Sequence, residues 1–147
     1  MKMFRKYLPL VLCLSLTTPA CRLLGAKDPS AIVQASADAV YDSLVVVLDI
    51  LDTSLAGHIS SIQEPLTIEQ VAQFGADIEH LVRARTNLLE IKSMLDGTED
   101  FKLSRFRAEL ASCVTHLNAV VESLKSYGVT VPDSVIKTLD QAMRLLG

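Results

Sequence analysis

The chain has 147 residues, half of them apolar, with no Trp and only 5% aromatics. That length suits one domain with a modest core, and an aliphatic core of Leu, Val, Ile and Ala offers little for stacking on bases or sugars. Fourteen basic residues stand against 17 acidic ones, a net charge of −3, and an acidic surface repels phosphate, which disfavours nucleic acid as a partner.

The first element is an export segment. Lys2, Arg5 and Lys6 form a short positive start, Tyr7 to Leu16 is apolar apart from Ser15, and Thr17-Thr18-Pro19-Ala20 is small and uncharged. Charge, apolar core and small-residue end fall in the order of a secretory signal. The apolar run is far shorter than the ~20 residues that a membrane-crossing helix needs. Two cleavage readings stand side by side. Thr18-Pro19-Ala20 fits the small-x-small rule of ordinary secretion, with Cys21 as the first mature residue. Alternatively, residues 1–21 resemble the signal of a bacterial lipoprotein precursor, whose box reads Leu-(Ala/Ser)-(Gly/Ala)-Cys. Ala20-Cys21 matches that box, whereas Thr18 and Pro19 depart from it. The resemblance covers only this segment. It implies lipidation at Cys21, removal of residues 1–20, and a membrane partner reached through the N-terminal lipid. The location would be the cell envelope or, with plain secretion, the periplasm or the medium. Acyl chains on Cys21 would bury methylenes at ~0.8 kcal/mol each.

Without residues 1–20 the chain keeps 11 basic and all 17 acidic residues, which argues against a polybasic membrane patch. Of the three cysteines, Cys13 leaves with the signal. Lipid on Cys21 leaves Cys113 alone, while a free Cys21 permits a Cys21–Cys113 disulfide in an oxidising compartment. There is no Cys-x-x-Cys, so no cysteine pattern points to zinc or covalent haem.

Residues 21–27 read as a tether and 28–147 as a single helical domain. Asp28-Pro29 is a helix start, with Asp28 as N-cap and Pro29 at the first helical position. The first helix runs to about Ile62. Leu44, Leu48, Leu51, Leu55, Ile59 and Ile62 mark one face, and Asp38, Asp42, Asp49 and Asp52 mark a solvent stripe. Gly57 is a point where this helix would kink or end. Glu64-Pro65 breaks the chain. Thr67 with Gln70 then makes a capping box, Leu66 and Val71 a hydrophobic staple, and the second helix extends to about Leu95. Its expected apolar positions are Val71, Phe74, Ile78, Leu81, Val82, Leu88, Leu89 and Leu95. Asp77, Glu79, Arg83, Arg85 and Glu90 are expected mostly in solvent.

Asp96-Gly97 closes that helix, with Gly97 suited to a left-handed C-cap. Thr98 or Asp100 is the expected cap of a third helix, about Phe101 to Tyr127, with Leu103, Phe106, Leu110, Cys113, Val114, Leu117, Val121 and Leu124 inward. Gly128 ends it. Pro132-Asp133 opens a shorter fourth helix to about Leu146, with Val135, Ile136, Leu139, Ala142, Met143 and Leu146 inward. Short connections favour antiparallel neighbours. The expected fold is therefore all-α, an antiparallel bundle of three long helices and one short C-terminal helix.

Motifs for chemistry are scarce. Asp77-x-x-His80 and Cys113-x-x-His116 have metal-ligand spacing, but both histidines lie off the apolar stripes and read as solvent-facing. His58, beside the core face, reads as a boundary histidine. Cys113 lies on the apolar stripe and reads as a small core residue. There is no Gly-x-Ser-x-Gly elbow and no glycine cluster for phosphate. Lys102, Arg105 and Arg107, with Arg83 and Arg85, read as solvated charges. No catalytic, metal or cofactor-binding residue is assigned, and no cofactor is expected. The expectation is a non-catalytic envelope protein that serves as a helical interaction or structural module, with an unknown protein partner or self-association. The alternative is a bundle that carries a small apolar ligand or cofactor.

Overall fold

The computed structural model describes residues 29–97 and 99–146, with side chains from residue 35 onward. Four helices follow one another: α1 (Pro29–Ser61), α2 (Ile68–Leu95), α3 (Leu103–Ser126) and α4 (Asp133–Arg144). Among the described residues there is no strand, and the fold is an all-α bundle of three long helices and a short fourth. The chain divides into two compact units between Asp42 and Ser43. In the first, the described residues are the opening turns of α1. The second unit holds the rest of α1 with α2, α3 and α4 and is the bundle described below.

Local signals place the helix ends. The Thr67 hydroxyl accepts from the Gln70 amide at 3.2 Å, and the Gln70 side chain accepts from the Thr67 amide at 2.9 Å, closing the capping box that starts α2. α2 ends at Asp96, and Gly97 follows with φ +73°. Gly128, at φ +77°, ends α3. The Val129 amide donates to the Leu124 carbonyl and the Gly128 amide to the Lys125 carbonyl. These are the two bonds of a Schellman cap, which satisfies carbonyls the helix leaves free. α1 continues through Gly57 to Ser61 without a break, because one glycine weakens a long helix but does not forbid it. α3 differs from expectation at its start. Its N-cap is Lys102, without a side-chain cap bond, so Asp100 does not cap it, and Thr98 lies outside the described residues.

The pairing is antiparallel. His80, Asn87 and Glu90 of α2 meet His116, Glu109 and Arg105 of α3 in descending order. His58 and Asp52 of α1 likewise meet Phe74 and Arg85 of α2. Leu44, Val47, Leu48, Leu51 and Leu55 of α1 are buried, while Asp49 and Asp52 stay exposed as expected. α3 buries Phe106, Leu110, Cys113, Val114, Leu117, Val120, Val121 and Leu124. α4 packs on α3 and buries Val135, Leu139 and Ala142. Two expected core residues face outward, Leu103 at the first turn of α3 and Met143 on α4.

The main correction concerns α2. Its buried residues are Phe74, Asp77, Leu81, Ala84, Leu88, Ile91 and Met94, stepping by three and four residues as a coiled-coil seam does. Half of the expected core positions are exposed instead: Val71 55%, Ile78 49%, Val82 56% and Leu89 61%, with Ile68 at 89% beside them. α2 carries two apolar rows, and the one with Phe74, Leu81 and Leu88 is taken by the core. From Ile68 to Leu89 the second row runs about 30 Å along the helix at ~1.5 Å per residue.

Candidate functional site

Polar groups collect along one edge of the α2–α3 pair. At the end of the bundle where α2 begins and α3 finishes, Asp77 is the one buried charged residue among those described. The Tyr127 hydroxyl donates to its Oδ2 at 2.6 Å. Burial and the adjacent carboxylate push the Tyr127 phenol up to about 12. It therefore stays protonated at neutral pH and acts as a donor, not as a base. His58 of α1 stacks on the Tyr127 ring, centroids 5.0 Å apart and nearly parallel, and Phe74 meets both rings edge-on. Gln73 donates to the Ser123 hydroxyl at 3.4 Å beside them. Glu69, Gln70, Gln73, His58, Phe74 and Tyr127 line an open cleft above this cluster.

Farther along the same edge, His80 and His116 face each other with Nδ1 to Nδ1 at 2.9 Å. One ring donates from Nδ1 and the other accepts there. The expectation of two solvent-facing histidines is corrected: both are half-buried, each in contact with the other across the helix pair. Burial, then the neighbouring His80, then Arg83 push the His116 imidazole below its ordinary range, while Glu79 opposes them. Beyond the histidines, Asn87 donates to Glu109 at 2.7 Å and accepts from the Ser112 hydroxyl at 3.1 Å. Arg105 closes the edge by bridging Glu90 and Glu99.

The two metal-like spacings do not form a metal centre. Asp77 is engaged by Tyr127, and Cys113 is enclosed in the core. Among the described residues no group of three or more metal-ligating side chains comes together. Burial pushes the Cys113 thiol up to about 12, which removes its nucleophilic form at neutral pH. Three of the arginines that read as solvated charges form surface ion pairs. Arg83 pairs with Glu79, Arg85 with Asp52, and Arg105 with two glutamates. The lipidation residue expected from sequence, Cys21, lies outside the described residues, as do the signal and the tether.

Sequence reasoning missed the Asp77–Tyr127 and His80–His116 pairs. Asp77 was detectable in principle, since it falls between Phe74 and Leu81 on the same three–four spacing as the core residues. The histidine pair depends on the register between α2 and α3, which no local pattern specifies. No protein-family model matches the chain, and no curated protein or solved structure does either.

Proposed function

We propose that this chain is a non-catalytic protein of the cell envelope. It is exported, held at a membrane by lipid on Cys21, and acts as an interaction module through the outer face of α2. The observation that carries the interaction role is the exposed row Ile68, Val71, Ile78, Val82 and Leu89. Scattered surface apolar residues need no explanation, but a contiguous row on one helix marks a contact surface. The anchor rests on the sequence of residues 1–21 alone. No described helix is long and apolar enough to cross a membrane; this reading takes the lipid as the attachment.

The polar edge is a structural seam in this reading. Its hydroxyls, amides and carboxylates engage one another, and Tyr127 and Cys113 are held protonated. The alternative of a carrier for an apolar ligand has less support, since the cleft beside His58, Phe74 and Tyr127 is open to solvent, whereas such sites bury most of their ligand's surface.

Intact-mass analysis of the full chain recovered from the membranes of an expressing bacterium tests the anchor. The expected mass lacks residues 1–20 and carries acyl chains on Cys21, and Cys21→Ala should release the protein from the membrane. An unmodified mature chain in the soluble fraction would overturn the anchor while leaving the α2 face to be tested separately.

A further inference from the structure

We propose that the exposed row on α2 is the seam of an antiparallel, two-fold contact with α2 of a second copy of this chain. The inference rests on the reading of that face as an interaction surface and names its partner.

The row has the layout of a helix–helix seam. Ile68, Gly75, Val82 and Leu89 recur at seven-residue intervals, flanked on one side by Val71 and Ile78, and a repeat of this kind keeps one stripe facing a partner helix. The order is self-complementary. When α2 is laid antiparallel on itself with Ile78 beside the two-fold axis, Ile68 meets Leu89 of the other copy, and Gly75 meets Val82. The smallest residue of the row thus sits opposite a bulky one. Gly75 has no internal explanation, since a Cβ added there would meet nothing within 4 Å and its helical backbone needs no glycine. A two-fold contact gives it one, because the missing side chain leaves room for Val82 of the second copy.

Charge does not oppose the contact. Arg85 and Glu79, the charged residues on the two flanks of the row, pair with Asp52 and Arg83 of their own chain. The area is sufficient but small. Five residues at these exposures cover roughly 500 Å² per copy, about 1,000 Å² for the pair, the lower bound of a specific interface. Such a contact forms only toward micromolar concentration in solution. Confinement of both copies to one membrane surface raises their effective concentration, so the lipid on Cys21 and the row on α2 fit one purpose.

Cysteine cross-linking of the full chain reads the register directly. Ile78→Cys is expected to cross-link to itself and give a disulfide dimer. Ile68→Cys and Leu89→Cys are each expected to stay monomeric alone and to cross-link when mixed. Gly75→Ala should raise the melting temperature yet weaken association at least several-fold, a combination that a purely structural role for the position does not produce. Self-cross-linking at Ile68 and at Leu89 would overturn the antiparallel register. No cross-link from any variant, with unchanged helicity, would overturn the second copy as partner. If a different protein then binds the row and Val82→Glu releases it, the interaction reading stands and only this inference fails.

Discussion

Asp77 and Tyr127 show how one residue pair carries a cost that the sequence hides. A carboxylate enclosed among Phe74 and Leu81 needs a donor, because leaving a buried charge unpaired costs more than the bond itself contributes. Tyr127→Phe is therefore expected to destabilise the fold by about 1–3 kcal/mol in denaturant melting. Asp77→Asn, which keeps an acceptor for the phenol, should cost less than Tyr127→Phe. The histidine pair sets a pH dependence. In the unfolded chain His116 takes its proton near ~6.5, and in the folded chain burial and His80 hold that value lower. The unfolded state then binds more protons as pH falls through that range, so stability decreases from neutral toward acid. Melting temperatures measured between pH 7 and pH 5 should fall, and His116→Gln should make the fall shallower. An identical slope in wild type and variant would rule out the pair as its source.

Among the helices, α2 separates what is local in the sequence from what is not. The Thr67–Gln70 capping box, the Gly97 turn and the Pro132 start were legible because each is fixed by residues within a few positions. Thr67→Ala is expected to cost about 1 kcal/mol of stability in thermal or chemical melting. The four helices and their antiparallel order were also legible, from three–four apolar spacing and short connections. The buried face of α2 was not. Two apolar rows run along this helix, both with acceptable spacing, and the choice between them is made by α1 and α3. The core takes the row with Phe74, Leu81, Leu88 and Ile91 and carries Asp77 and Ala84 with it, so apolarity and burial part company on one helix. The polarity of Asp77 predicts exposure, but its place on the core row decides its burial. Gly75 follows the same division. On an exposed helix surface, Gly75→Ala should stabilise the isolated chain by about 0.5–1 kcal/mol, so packing within the monomer does not explain a glycine there.

Across the whole molecule, the two edges of α2 have opposite characters. One is joined to α3 by a ladder of polar pairs from Gln73–Ser123 to Glu90–Arg105. The other presents an aliphatic row. The proposed contact role belongs to the second of these edges. Arg83, Arg85 and Arg105 are each paired with carboxylates on the surface of the bundle. The measurement that bears most directly on the contact role of α2 is the mass of the full chain by sedimentation equilibrium, up to high micromolar concentration, compared with Val82→Glu. The expected result is a concentration-dependent rise toward a dimer for the wild type and a constant monomer mass for the variant, with equal helical content. A monomer mass for both across the whole range would contradict it.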